Sequence, residues 1–290
     1  MPSLGKEALA YLLDQRAALV DFLGELTRAE SPSSEPKSQA AVRGLLVDEL
    51  EARGLATIVV PGKRSGGQLY ARPRKRRRHA PLQLVVGHFD TVWPLGTLQR
   101  MPFEFDGRCV RGPGVFDMKG GLTQLVFALR TIEALGQRAE VVPIVFLNSD
   151  EEIGSRESSR YIRALAKIAD RALILEPSLG PAGALKTARK GVGRYTVTVK
   201  GKAAHAGLDP ERGVSAILEL SHVIQQLFAL NDPARGVTVN VGTIDGGIRP
   251  NVVAPESRAV VDVRIASHVD AERIDAAIKE IGRASCRERV

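Results

Sequence analysis

Four short stretches carry side chains able to bind a metal or move a proton, and each sits where an apolar run ends. They are His88 and Asp90 in VVGHFDTV, Asp117 in GPGVFDMKGG, Glu151 and Glu152 in NSDEEIGS, and Glu176 in LILEPS. The third stretch poses the sharpest question. Asp150, Glu151 and Glu152 follow directly on Val145, Phe146 and Leu147. Adjacent like charges repel one another, and the cost rises when they leave water. Either a positive centre sits among them or the turn is fully solvated. A cation would keep such carboxylates ionised, and a histidine with several carboxylates suits Zn²⁺, Mn²⁺ or Co²⁺ better than a thiolate site would.

Taken singly, each stretch has an ordinary explanation. His-x-Asp after a strand serves as a capping or core pair. Glu-Glu suits a solvated helix start, where negative charge meets the positive end of the helix dipole. Asp117 before Met-Lys-Gly-Gly serves as a helix cap, and Glu176 before Pro177 as a loop acid. Their common placement is what sets them apart, because side chains just past the carboxyl ends of strands in an open α/β sheet converge on one crevice.

The elements that must position these residues follow from the hydrophobic pattern. Residues 5–27 and 36–54 have helical spacing and are separated by the turn-rich AESPSSEPKS. ATIVV, GQLYARP and LQLVVGH read as strands, and GGLTQLVFALRTIEALG as a helix ending at Gly136. VVPIVFLNS, SRESSRYIRALAKI and RALILEP follow as strand, helix and strand. This alternation predicts an α/β domain with a mostly parallel sheet covered by helices on both faces. Near residue 191 the pattern changes. GRYTVTVKG, a helix over 213–230, GVTVNVGTI, SRAVVDVRI and a helix from 269 give a β-α-β-β-α order, hence a small α+β unit with an antiparallel sheet.

Composition narrows the class. A chain of 290 residues, 44% hydrophobic, has a real core and is not disordered, and no apolar run is long enough for a bilayer helix. Two cysteines, Cys109 and Cys286, imply no disulfide framework, so a cytoplasmic location is expected. The formal charge is +8, but Arg72, Arg74, Lys75, Arg76, Arg77 and Arg78 account for all but +2 of it. One basic run without interleaved aromatic residues reads as a solvated loop, so neither nucleic acid nor a membrane is expected as a partner.

GHFDTVWPLGT, GPGVFDMKGG, DEEIGS, KGKAAHAGLDPERGVSA and NVVAPESRAVVDVR, in this order, resemble the M20 family of metallopeptidases and within it the glutamate carboxypeptidase branch. The resemblance runs from about residue 10 to 279. It implies a catalytic domain over 1–190 and an inserted lid and dimerisation domain over 191–279, through which a homodimer forms. It also implies two zinc ions, with Co²⁺ or Mn²⁺ as substitutes. His88, Asp117 and Glu176 would hold the first, and Asp117 would bridge to a second held by Glu152. Asp90 would accept a hydrogen bond from His88 and fix its tautomer. Glu151 would be the general base. His205 would polarise the scissile carbonyl, and Asn251 and Arg264 would hold the free carboxylate of a small peptide or acyl-amino-acid substrate. The implied activity is hydrolysis of an amide bond next to a carboxylate, such as a C-terminal glutamate. N-acyl amino acid deacylase and dipeptidase activities use the same core, and a catalytically silent dimeric binding protein is the reading from another class. The family pattern also includes a later histidine. After Arg264 this chain has only His268, which does not match it, so the lid and the catalytic domain are expected to be truncated. The closing EIGRASCRERV breaks the helical pattern and matches a translated sequencing adapter, so 280–290 is expected to be a non-native tail.

Overall fold

The structure, a computed structural model, describes residues 3–75, 79–180 and 182–284. Arg76, Arg77 and Arg78 of the basic run and residues 285–290 of the expected tail lie outside the described residues. By internal packing the chain forms two compact units, Met1–Gly183 and Ala184–Val290.

The first unit opens with helices α1 (Leu4–Asp14), α2 (Arg16–Arg28) and α3 (Gln39–Ala52). The single helix expected over 5–27 is therefore two, broken at Gln15. Strands β1 (Leu55–Val60), β2 (Gln68–Pro73) and β3 (Leu82–His88) follow, then a small hairpin of β4 (Glu104–Phe105) and β5 (Val110–Arg111). Helix α4 (Gly120–Ala134), strand β6 (Val142–Asn148), helix α5 (Ser159–Ala166) and strand β7 (Arg171–Ile174) complete the unit. The sheet order is β1-β2-β6-β3-β7. The α/β expectation is borne out, with a pairing more mixed than the alternation suggested. β3 pairs parallel with β6 and β7, while β2 pairs antiparallel with β1 and β6. The short connection over 61–67 allows only a hairpin between β1 and β2, and a hairpin is antiparallel.

Alternation along the central strands serves two layers of helices, as a strand's period of two requires. Val85 and Val145 and Leu147 face a core built with Leu26 of α2, Leu46 of α3 and Leu122 of α4. Leu84, Val86, Ile144 and Phe146 face the opposite side, against Tyr161, Ile162 and Leu165 of α5. With both faces covered, the strand ends are what remains for chemistry. The parallel register sets their level: His88 is opposite Asn148, and Val86 is opposite Ile174. Glu176, two residues beyond Ile174, thus comes level with His88.

The second unit is β8 (Gly191–Lys200), α6 (Ala216–Phe228), β9 (Thr238–Gly246), β10 (Glu256–Ile265) and α7 (His268–Ala284). Its sheet, in the order β8-β10-β9, is antiparallel throughout. Val261, Val263 and Ile265 of β10 pack with Val223 and Leu227 of α6 and Ile274 and Ile278 of α7 in one core. The β-α-β-β-α order is as read from the sequence. Helix α7 continues past Lys279, where the pattern suggested that it would give out. No described helix is long and apolar enough to cross a membrane.

Candidate metal centre

His88, the last residue of β3, is 1% exposed. Its Nδ1 lies 2.9 Å from the main-chain oxygen of Asp90 and 3.4 Å from that residue's Oδ1. The nearer acceptor is thus the carbonyl rather than the carboxylate expected from the sequence. Either one favours a proton on Nδ1 and a lone pair on Nε2, the tautomer a metal ligand needs. Nε2 lies 3.1 Å from Asp117 Oδ1 and 3.6 Å from Glu176 Oε1.

Asp117 is delivered by an irregular turn, Val115–Lys119, in which it is extended (φ −121°, ψ 104°) and followed by a cis peptide to Met118. The turn depends on Gly114, whose φ of +70° is a left-handed conformation and whose added Cβ would lie 2.7 Å from Thr91 Cγ2. Gly121, at the start of α4, lets the helix approach the end of β7 so closely that a Cβ there would lie 2.0 Å from the carbonyl oxygen of Leu175. Leu175 itself donates to Val86 O at 2.9 Å, which fixes the level of Glu176.

The three adjacent carboxylates turn out to differ. Asp150 is buried and faces its own turn, where Oδ2 accepts from the backbone N–H of Glu157 at 2.7 Å and of Ser158 at 3.2 Å. Glu151 and Glu152 remain half-buried and face the histidine. Their backbone is held from below by Asp90: Oδ1 accepts from Glu151 N and Oδ2 from Glu152 N, each at 3.2 Å. Ser33 Oγ donates to the same carboxylate at 2.7 Å.

Two overlapping groups result, His88 with Glu151 and Glu176 and His88 with Asp117 and Glu152, with ligand atoms within 4.8 Å of one another in each. This division differs from the one that the resemblance implied, in which Asp117 and Glu176 share an ion with His88. Electrostatics bear on whether a cation fits. Burial pulls the His88 imidazole down, but hydrogen bonds with Asp117 and Asp90 and the charges of Asp90 and Glu151 push it up to about 10. Burial, with the charges of Asp117, Glu151 and Asp90 and against that of His88, pushes Glu152 up to about 7. Burial likewise raises Glu151, helped by Glu176, Asp90 and Asp117 and opposed by His88. Groups that hold protons this tightly are short of positive charge, which a divalent cation supplies. The spacing also fits. Tetrahedral ligands about 2.1 Å from zinc stand about 3.4 Å apart, and the 3.1 Å and 3.6 Å separations around Nε2 bracket that value.

The other expected residues lie in the second unit. His205 is exposed, and its Nδ1 accepts from the backbone N–H of Gly207 at 3.1 Å and of Leu208 at 3.2 Å. The ring proton is therefore on Nε2, which is free to donate. Asn251 is beside it, since Ala206 N donates to Asn251 O at 3.0 Å and His205 bridges Val252. Arg264 stands on β10 with its fork on Asp262: Nε is 2.8 Å from Oδ1 and Nη2 is 3.2 Å from Oδ2. Its guanidinium is already engaged in the way expected toward a substrate.

Several supporting residues were missed in the sequence. Ser31 and Ser33 lie in AESPSSEPKS, which reads as a breaker, yet Pro32 bridges Thr91 and both serines are buried against the His88–Asp90 segment. Buried Gln39 donates to Pro32 O and Ser149 O and accepts from Gly66 N, joining three loops beneath the site. The signal available was the density of small polar residues just before a helix, which says hydrogen bonding without saying to what.

Comparison with known proteins agrees with this geometry. The fold is that of the M20 peptidases, and residues 187–289 match the family model described as a peptidase dimerisation domain. The chain is 30% identical to carboxypeptidase G2 of Pseudomonas sp. (strain RS-16) over 274 residues, 92% of this chain and 64% of that protein. It is 28% identical over 197 residues to an M20 domain-containing protein of Schizosaccharomyces pombe, covering 46% of it. The chain thus spans less than two-thirds of the length of these relatives. Among solved structures, a tripeptidase from Staphylococcus aureus superposes with a TM-score of 0.77 at 19% identity, covering 93% of this chain and 72% of that one. The M20 metallo-carboxypeptidase Sso-CP2 of Sulfolobus solfataricus superposes with a TM-score of 0.71 at 17% identity, covering 94% and 76%. The resemblance to the M20 metallopeptidases read from the motifs is borne out.

Proposed function

We propose that the complete protein is a metal-dependent hydrolase that cleaves an amide or peptide bond next to a free carboxylate, such as that of a C-terminal glutamate. The observation that carries this reading is the pair of groups that share His88, one with Glu151 and Glu176 and one with Asp117 and Glu152, each with its ligand atoms within 4.8 Å of one another. His88, Asp117, Glu152 and Glu176 would hold a dinuclear zinc centre, which when bound supplies Lewis acidity toward the scissile carbonyl and the attacking water. Glu151 takes a proton from that water and passes it to the leaving nitrogen. Its raised proton affinity suits a base that must also return the proton. Asp90 keeps the backbone of both glutamates in place and the His88 ring oriented. His205, with its proton on Nε2, serves the active site of a second copy by donating to the carbonyl oxygen. Asn251 and Arg264 receive the substrate carboxylate, with Arg264 exchanging Asp262 for it.

A homodimer through the second unit belongs to the same reading, supported by the dimerisation-domain match and by exposed apolar side chains on α6 and edge strand β9. The cytoplasm suits a site that needs no disulfide, and Cys109 is a free thiol.

The test is Glu151→Gln in the full-length protein. Metal content should be unchanged while kcat on an acyl-glutamate falls by about 10²–10⁴. His88→Ala should lose metal. Near-normal turnover by Glu151→Gln would remove the general-base role.

A further inference from the structure

Lys119 stands two residues past Asp117, is 1% exposed and is the one lysine so enclosed among the described residues. A buried amine is costly unless its N–H groups find acceptors. Here Nζ donates to the carbonyl oxygens of Leu26 at 2.8 Å and Ala29 at 2.9 Å, at the C-terminal end of α2. The last carbonyls of a helix lack intrahelical partners and lie at the negative end of its dipole. Lys119 thus caps one helix from the turn that precedes another. Burial pulls its ammonium down to about 7 against the charge of Glu30, yet two carbonyls are served whether the amine carries two protons or three.

The main chain of Lys119 is held as firmly. Its N–H donates to Gly114 O at 2.9 Å, and its carbonyl accepts from Thr123 Oγ1 at 2.9 Å. The turn is therefore closed on itself at Gly114 and fastened outward at Lys119. The far end of that fastening is not neutral ground. The chain leaving α2 reaches Glu30, which accepts from Gly96 N and Leu98 N, and then Ser33, which donates to Asp90. One short segment therefore holds both Asp90, beneath His88, and the turn that carries Asp117.

We propose that Lys119 is a positioning residue for the metal centre: by tying the Asp117 turn to the end of α2, it sets the Asp117–His88 separation at which the two side chains share an ion. The proposal rests on the metal-site reading above and goes beyond it by assigning a role to a residue that touches neither metal nor substrate.

The experiment compares wild type, Lys119→Met and Lys119→Gln as purified full-length chains. Three readings are taken: Co²⁺ affinity by chelator competition, the visible absorption of the Co²⁺ complex, and melting followed by circular dichroism without metal. Lys119→Met keeps the side chain's length and removes its donors. It should fold, bind Co²⁺ at least about tenfold more weakly and show a changed Co²⁺ spectrum. Lys119→Gln, which retains an N–H donor, should fall between it and wild type. A variant that melts earlier but keeps wild-type Co²⁺ affinity and spectrum overturns the proposal, because the lysine is then only a cap. If Lys119→Met does not fold, Lys119→Gln decides on the same affinity and spectrum. Wild type that binds no Co²⁺ overturns the metal-site reading and this proposal together, whereas wild-type binding with unchanged variants sinks this proposal alone.

Discussion

The carboxylate of Asp90 accepts the backbone N–H of Glu151 at 3.2 Å, so the residue beneath the histidine also fixes the start of the turn that carries the proposed base. Its other oxygen does the same for Glu152 and receives the Ser33 hydroxyl. Asp90→Asn would set an amide N–H against one of these backbone donors. Leaving a buried donor unpaired costs about 1–3 kcal/mol. The variant should melt earlier and bind zinc about 10–100-fold more weakly. Calorimetric zinc titration of the folded variant checks this, and unchanged affinity would show that the two glutamates hold their places without Asp90.

Gly121 offers a second, purely steric test. An alanine Cβ there would sit 2.0 Å from the Leu175 carbonyl oxygen, which is backbone and cannot swing aside. Either α4 or the end of β7 must shift, and overpacking of this kind costs about 1–3 kcal/mol. Because Glu176 is the next residue, Gly121→Ala should weaken zinc binding as well as stability. Gly136→Ala is the control, since nothing lies within 4 Å of its added Cβ. Its own φ of +60° still strains an alanine, so it should lose stability while keeping zinc affinity.

These two sites also show what the sequence could and could not convey. His88, Glu151, Glu152 and Glu176 were legible because each lies at or just past the end of an apolar run, and the parallel pairing of β3 with β6 and β7 brings those ends together. Asp117 arrives differently, on the turn Val115–Lys119 ahead of α4 rather than at the end of a strand of that sheet. Asp150 was legible only as a member of a triplet. That it turns inward depends on the N–H groups of Glu157 and Ser158, which no local pattern announces. The helix expected over 155–168 is Ser159–Ala166, and the N–H groups of residues 157 and 158 just ahead of it, which would have no acceptor within a helix that began there, go to Asp150. Ser33, Gln39 and Lys119 were illegible as site residues because their partners are carbonyls and carboxylates far away in the chain. The period of the strands and helices is a local property, whereas what an isolated polar side chain reaches is set by the completed packing.

The second unit carries a pH-dependent device independent of the metal. Ser267 Oγ accepts from Asp270 N at 3.1 Å and donates to Asp270 Oδ2 at 2.7 Å, while Oδ1 receives Arg235 Nε at 2.8 Å and Arg273 Nη2 at 3.2 Å. The Ser267 hydroxyl, then the Arg235 guanidinium, then Arg273 hold the Asp270 carboxyl below the usual range. A folded value below the unfolded one means that the stabilisation is complete above about pH 4 and is lost as pH falls through the folded value. Asp270→Asn should therefore lower the melting temperature of the chain at pH 7, and the gap from wild type should close on acidification below pH 4. A gap of constant size across that range would assign the loss to geometry rather than to charge.

The dimer reading can be tested without touching any proposed active-site residue. Leu218, on the first turn of α6, is 60% exposed, and Ile244 on edge strand β9 is 63% exposed. Water gains nothing from such side chains, and a row of unpaired strand groups beside them is a ready surface for a second copy. Leu218→Glu leaves the Ser215 cap in place, because that cap receives the backbone N–H of residue 218. The new acid also lies near the helix N-terminus, where negative charge is favourable. The fold should therefore be retained while association is lost. Sedimentation should show wild type as a dimer and Leu218→Glu combined with Ile244→Lys as a monomer. If His205 serves the second copy, the monomer should also lose turnover while keeping its metal. A dimer that survives both substitutions would move the interface off this face, and a fully active monomer would return His205 to its own chain's site or to no role at all.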